Sequence, residues 1–233
     1  MTEAPLIVQE PDAGAVARRA AEHITAAVAA ARSQRGAAHV ALAGGTTPAA
    51  TYALLRPDEL AGVELWFGDE RCVGPQDPES NFRLVVSTLR VQTNALHRIE
   101  GERGAQAAAD SYELLLRDLV PVDGFGWPVL DLVLLGIGED GHTASLFPDN
   151  PALLVEDRAV VAVHHAPKPP PDRVSLSLPA LRAARACLLL ATGAGKAAAL
   201  AGALGERTPH VPSSLLARER LTVIADREAL GAP

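Results

Sequence analysis

The stretch that most constrains this chain runs from Asp131 to Pro148 and reads Asp-Leu-Val-Leu-Leu-Gly-Ile-Gly-Glu-Asp-Gly-His-Thr-Ala-Ser-Leu-Phe-Pro. Its first half is a near-continuous apolar run ending in glycine. That is the pattern of a strand buried on both faces inside a parallel sheet. A glycine-rich loop follows, carrying the carboxylates Glu139 and Asp140 and then His142. Glycines open backbone conformations closed to other residues and let a ligand come close. Open α/β sheets bind ligands just past the carboxyl ends of their strands. An imidazole in that place, with an ordinary pKa of ~6.5, is suited to moving protons at neutral pH.

The same glycines, Gly136-x-Gly138-x-x-Gly141, also fit a dinucleotide-binding fingerprint. That fingerprint needs a helix directly behind the loop to receive the pyrophosphate. Here Pro148 and Pro151 follow soon, and no long apolar-periodic segment intervenes. The acidic pair Glu156-Asp157 lies ~20 residues on, but it precedes the next strand instead of ending it. A plain turn with a solvated histidine remains the other reading of the loop in isolation. The rest of the chain decides against it.

Strands and helices alternate along the sequence. Leu6-Ile7-Val8 is a short strand, and Asp12 can cap the Ala/Arg-rich helix that runs to Arg35 and stops at Gly36. His39 to Ala43 is a buried strand. It leads into Gly44-Gly45-Thr46-Thr47-Pro48, where Thr47 suits a helix cap and Pro48 the first helical position. Such a turn aims free backbone N–H groups and hydroxyls at an anion. Val63 to Phe67 is the next strand and ends in Gly68-Asp69-Glu70-Arg71-Cys72. Three charges in a row there suggest a site rim, with a solvated turn as the plain alternative. A helix starts near Ser80, and another spans Gly104 to Val120.

After the central loop, Ala159 to His165 reads as a strand. Its adjacent histidines, His164 and His165, would point to opposite faces and make a poor chelate, so no metal site is expected. Pro167-Lys168-Pro169-Pro170-Pro171 is stiff and extended. Asp172 to Leu178 alternates like a half-buried strand, with Arg173 at its start. Cys187 to Ala191 is a strongly buried strand. Thr192-Gly193-Ala194-Gly195-Lys196 and an Ala-rich helix follow it. This resembles the tail of a phosphate-binding P-loop but fails that motif. Leu190 stands where its first glycine belongs and Ala197 where Ser or Thr belongs. Leu221 to Ala225 is the last strand. The expected fold is α/β: a mostly parallel, Rossmann-like open sheet with helices on both faces, three layers αβα, in one domain over residues 1–233.

Composition excludes several function classes. Lys plus Arg number 21 against 28 Asp plus Glu, a net charge of −7. This argues against nucleic acid or an anionic membrane as the main partner. Aromatics at 3% leave little for base stacking. A small anion is not excluded, because it responds to the local field of a cleft. Cys72 and Cys187 form no disulfide framework and fit two thiols in a reducing compartment. Glu3, Pro5, Glu10 and Asp12 interrupt any signal-peptide pattern, and no apolar run is long enough to span a bilayer. The expectation is a cytoplasmic protein, a monomer with a homodimer as the alternative.

In a parallel sheet the carboxyl ends of the strands share one edge. Four strand-end loops could therefore meet over one cleft: Gly44-Gly45-Thr46-Thr47, Asp69-Glu70-Arg71, Asp140-Gly141-His142 and Gly193-Ala194-Gly195-Lys196. Backbone donors, cations, carboxylates and an imidazole together suit a phosphorylated polar substrate and an acid–base step.

The motifs Ala43-Gly44-Gly45-Thr46-Thr47-Pro48, Gly68-Asp69-Glu70-Arg71, Ser80-Asn81-Phe82, Gly136 to Pro148 and Arg173-Val174-Ser175-Leu176-Ser177 together resemble the 6-phosphogluconolactonases. They cover most of the chain in the expected order. The wider superfamily includes glucosamine-6-phosphate deaminase, which typically continues its Asp-Gly-His segment into Asn-Glu-Pro. Here Leu146-Phe147-Pro148 stands in that region without the acid, which favours the lactonase. The resemblance implies hydrolysis of 6-phospho-D-glucono-1,5-lactone to 6-phosphogluconate in the oxidative pentose phosphate pathway, with neither cofactor nor metal. It implies His142 as general base, Asp140 as its orienting carboxylate and Arg71 or a loop N–H facing the oxyanion. Gly44, Gly45, Thr46, Thr47, Arg173 and Lys196 would hold phosphate, and Asp69 sugar hydroxyls. Ser145 lacks the G-x-S-x-G elbow of a nucleophile. Two rivals remain: an amino-sugar-phosphate isomerase or deaminase, and a sugar-phosphate sensor without turnover. Sensors of that kind normally carry a helix-turn-helix segment as well, for which little chain precedes the first strand.

Overall fold

The structure, a computed structural model, describes residues 4–89 and 95–231. Six strands form one parallel sheet: β1 (Leu6–Glu10), β2 (Ala38–Leu42), β3 (Val63–Phe67), β5 (Leu132–Gly136), β8 (Cys187–Ala191) and β9 (Leu221–Asp226), in the order β1-β9-β8-β5-β2-β3. Helices pack around it: α1 (Ala13–Arg35), α2 (Thr46–Tyr52), α3 (Asn81–Thr88), α4 (Ala105–Leu119), α5 (Leu178–Ala183) and α6 (Ala197–Leu204). This is the three-layer α/β arrangement expected from the alternation.

β2, β5 and β8 show why the sheet holds together. β2 and β8 are buried at every position and β5 at all but its last. Their Leu, Val and Ala side chains join one continuous cluster with α1, α2 and α4. From β2 the chain moves outward to β3; from β5 it moves the opposite way, to β8 and β9. β2 and β5 are neighbours, so the crevice at a topological switch point opens between their carboxyl ends.

A second sheet departs from the expectation. Asp69-Glu70-Arg71 is not a turn but the strand β4, in a three-stranded antiparallel sheet ordered β4-β7-β6 with β7 (Arg173–Leu176) and β6 (Val160–Val163). Gly68 is the joint between the sheets. Its N–H donates to Leu42 O at 2.9 Å, and its carbonyl accepts from Leu176 N at 2.8 Å. β7 is buried throughout rather than half-buried. Its serine hydroxyl is satisfied locally, Ser175 Oγ donating to Leu176 O at 2.9 Å. β6 stops at Val163, before the two histidines.

Glu70 is likewise not a solvated charge; it is 2% exposed. Its carboxylate accepts from the N–H groups of Arg71, Asn81 and Phe82 and from Ser80 Oγ, all within 3.0 Å. It therefore anchors the first turn of α3 to β4, where free helix donors and the helix dipole favour an anion. Burial nevertheless pushes its pKa up, against those hydrogen bonds. Removing the side chain would orphan three N–H donors, that of Asn81 buried and those of Arg71 and Phe82 partly buried. Glu70→Ala should cost about 3 kcal/mol. Urea unfolding should show it as a lower midpoint with an unchanged slope. An unchanged midpoint would refute the anchoring role.

Candidate active site

The two tyrosines of the chain place the strand ends that feed the crevice. Tyr52 Oη accepts from Ala43 N at 2.9 Å and donates to Ala43 O at 2.8 Å, fixing the residue just after β2. Tyr112 Oη does the same for Phe67 at the end of β3, at 2.7 and 3.2 Å. Burial raises both phenol pKa values, so both stay neutral donors.

Past Ala43, Gly44 has no room for a side chain: a Cβ there would lie 1.9 Å from Asn81 Oδ1. Gly45 adopts φ 105° and is itself the cap of α2, which begins at Thr46. The expected cap, Thr47, is already inside the helix. Its hydroxyl instead pairs with Thr192 Oγ1 at 2.8 Å, tying the loop after β2 to the loop after β8.

The loop after β5 folds on itself. Gly138 N donates to His142 O at 2.9 Å, Gly141 N to Gly138 O at 3.0 Å, and Thr143 Oγ1 to Gly136 O at 3.0 Å. No helix opens behind it, which removes the dinucleotide reading. His142 Nδ1 lies 2.5 Å from Asp140 Oδ1. An ionised carboxylate only accepts, so Nδ1 carries the proton and Nε2 the lone pair. The imidazole also packs on Phe147, with ring centroids 4.4 Å apart. Burial lowers the His142 pKa, and this outweighs the opposing pull of Asp140. Burial works to raise that of Asp140, but attraction to His142 and its hydrogen bonds bring it below the ordinary value. The resting pair is thus carboxylate and neutral imidazole.

A cleft of about 320 Å³ opens over these loops. It is lined by Gly44, Gly45, Thr46, Thr47, Asp69, Arg71, His142, Arg173 and Lys196. Asp140 stands behind His142 rather than on the wall. Lys196 sits in a short 3-10 turn, Ala194–Lys196, just before α6. Arg71 and Arg173 are direct partners across β4 and β7. Like charges placed so repel. The Arg173 pKa is lowered, first by burial and then by Arg71. Such a wall favours an anion. Arg71 Nε is buried without a partner among the described residues, while its Nη1 donates to Glu79 O. Asp69 is buried under the cleft, its carboxylate accepting from Ser145 Oγ at 2.6 Å and from Asn81 Nδ2 at 3.2 Å. Ser145 therefore serves Asp69 and has no base of its own.

Residues 11–224 match the family of glucosamine-6-phosphate isomerases/6-phosphogluconolactonase. The chain belongs to that family. The 6-phosphogluconolactonase of Mycobacterium tuberculosis is 37% identical, covering 94% of each protein. That of Streptomyces coelicolor is 36% identical, over 88% of this chain and 84% of its own. The crystal structure of 6-phosphogluconolactonase from Leishmania guyanensis superposes with a TM-score of 0.88 at 31% identity, covering 97% of this chain and 98% of that one.

Sequence reasoning about this family member passed over Asn81, Thr192, Phe147 and Lys168, all of which line the cleft. Asn81 was legible as part of a helix start and of the family motif Ser80-Asn81-Phe82, but not as a residue of the site. Phe147 and Thr192 carry no titratable group to draw notice. Cys72 stands beside Arg71, but burial pushes its thiol up to about 11, which leaves it protonated.

An NMR titration of the His142 imidazole should give a pKa below ~6.5. Asp140→Asn should lower it further, since the carboxylate is the main influence raising it. A shift upward in that variant would contradict the pairing.

Proposed function

We propose that this family member hydrolyses 6-phospho-D-glucono-1,5-lactone to 6-phosphogluconate, in the oxidative pentose phosphate pathway, with His142 as general base. The observation that carries the residue roles is the Asp140–His142 pair at the switch-point crevice, 2.5 Å apart, facing a wall of cations. The names of the relatives, 6-phosphogluconolactonases at 36–37% identity, support the substrate.

In this reading His142 Nε2 takes a proton from water as the water oxygen attacks the lactone carbonyl carbon. The C–O bond to the ring oxygen then breaks, and the imidazolium returns the proton to that oxygen. Asp140 fixes the tautomer and steadies the transient positive charge. The neutral resting imidazole is the form such a base requires. The position of Arg71 on the cleft wall supports a role for its positive charge at the developing oxyanion, where preorganised electrostatics are worth most. The N–H groups and hydroxyls of Gly44 to Thr47, with Lys196, hold the phosphate. Arg173 contributes to the same field from the wall. Asp69, pinned by Asn81 and Ser145, keeps free lone pairs for sugar hydroxyls.

Residues 1–233 act as one domain, which the single continuous core supports. Among the described residues no helix is long and apolar enough to cross a membrane. Two free cysteines fit a cytoplasmic monomer.

The test is a coupled assay. The lactone is formed in place from glucose 6-phosphate, and 6-phosphogluconate is followed through its own dehydrogenase, with spontaneous opening subtracted. The rate should scale with added protein, and His142→Ala should lower kcat by about 10²–10⁴-fold with little change in KM. The acid limb of kcat/KM should fall below pH ~6.5, because protonating a base of lowered pKa takes more acid. Release of ammonia from glucosamine 6-phosphate in place of lactone hydrolysis would overturn the reading, as would near wild-type kcat in the variant for the base.

A further inference from the structure

The strap at residues 167–171 contains four prolines and one lysine. Its prolines have no N–H to donate, so the strap cannot satisfy its own carbonyls. Only its ends close on each other, Ala166 N donating to Pro171 O at 2.8 Å. The donors come from one guanidinium. Arg173 Nη2 donates to Lys168 O at 3.0 Å and to Pro169 O at 3.2 Å, and Nε donates to Pro170 O at 3.1 Å. Arg173 is 5% exposed and lies 5.4 Å above the ring of Phe147, whose other neighbour is His142. Strap, guanidinium, phenyl ring and imidazole thus form one stack. Lys168 and Pro169 line the cleft at the strap end of it, while Lys196 enters from the loop after β8. The Lys168 backbone is held, and its side chain is exposed with no carboxylate paired to it among the described residues.

We propose that Lys168 is a catalytic cation at the reacting end of the substrate, placed to stabilise the oxyanion that forms on the lactone carbon, and that Arg173 is the positioning residue that holds it there. The proposal rests on the lactonase reading. It gives Arg173 a task other than gripping phosphate: both hydrogens of Nη2 and that of Nε are engaged by the strap. The electrostatics agree. His142 faces Asp140 from its own loop, Asp69 from β4 and Lys168 from the strap, with Arg173 beyond Phe147 and with Arg71 and Lys196 on the remaining walls. Burial is the main influence that lowers the His142 pKa, and the positive charge of Lys168 acts in the same direction.

Three proteins decide the matter in the coupled assay: wild type, Lys168→Ala and Lys168→Arg, each also assayed on unphosphorylated glucono-1,5-lactone. Lys168→Ala should lower kcat by about 10²-fold, the size expected for one lost oxyanion donor. KM should stay near wild type, the fractional loss should be the same on both lactones, and Lys168→Arg should recover part of it. The acid limb should move to higher pH in Lys168→Ala, because a positive charge next to the base has been removed. Arg173→Lys and Arg173→Ala should reproduce the kcat loss, and the double variant with Lys168→Ala should lose little more than either alone. A raised KM for the phosphorylated lactone with unchanged kcat would overturn the proposal by making Lys168 a phosphate contact. Unchanged kinetics in an active protein would also overturn it. Fully additive losses would overturn the role of Arg173. Wild-type protein without lactonase activity would defeat the lactonase reading itself, and this proposal with it.

Discussion

Asp140 holds the Nδ1 of His142, and it can reach that nitrogen only because Gly138 has no side chain. A Cβ at Gly138 would sit 2.0 Å from His142 Nδ1 and 2.4 Å from Asp140 Oδ1. The loop has curled so tightly that the pair fills the space above that one residue. Gly141 meets a matching limit from behind: it adopts φ 80° and a Cβ there would come within 2.8 Å of Val211. Ser213 N donates to Gly141 O at 3.1 Å and closes that side. The geometry of the Asp140–His142 pair is thus set by what the backbone excludes on two sides. β5 supplies the rigid base from which the loop departs.

The carboxylates around the cleft divide into structural and chemical groups, and burial makes the division. Glu70 is fully engaged by one helix turn and its neighbours. Asp69, next to it in sequence, lies on the opposite face of β4, as alternate strand residues must. It reaches the cleft, and even there two side chains steady it. Asp140 is more exposed than either and has one main partner, the imidazole. A run of three charges in the sequence therefore resolves into an anchor, a cleft carboxylate and a cleft cation, one residue apart each.

Much of this was legible before any coordinates. Buried strands announce themselves as apolar runs, and an alternating chain folds into a mostly parallel sheet because crossovers require it. That rule brings strand-end loops to one edge, so the convergence of Gly44, His142 and Lys196 followed from order alone. The second sheet did not follow. β4 is three residues long and wholly charged, so it has no apolar period to read. It is a strand because β7 pairs with it and Gly68 turns the chain out of the first sheet, both long-range facts. Ser175 in β7 and Ser177 just beyond it misled for a related reason. Their alternation suggested a wet face, but local hydrogen bonds let them be buried. The contribution of Tyr52 and Tyr112 was illegible too, since a phenol clamping a distant strand end leaves no mark in the local pattern.

The net charge of −7 says little about how such a site would treat an anion. Acidic residues outnumber basic ones 28 to 21 in the chain, yet Arg71, Arg173, Lys168 and Lys196 meet on the walls of one cleft. Field at a ligand depends on the charges within a Debye length, roughly 8–10 Å at physiological salt, and more weakly on those beyond. Arg71 and Arg173 stand opposite each other in register, an arrangement of like charges that repel and that a neighbouring negative charge would relieve. One of the cleft cations bears on the imidazole as well. Burial, and after it the charge of Lys168, favours the neutral form, while Asp140 favours the protonated one. Burial prevails, so the imidazole rests neutral with its Nδ1 proton held by the carboxylate. Opposed influences on one residue, burial against a loop carboxylate, thus leave Nε2 with its lone pair free on the wall of the cleft.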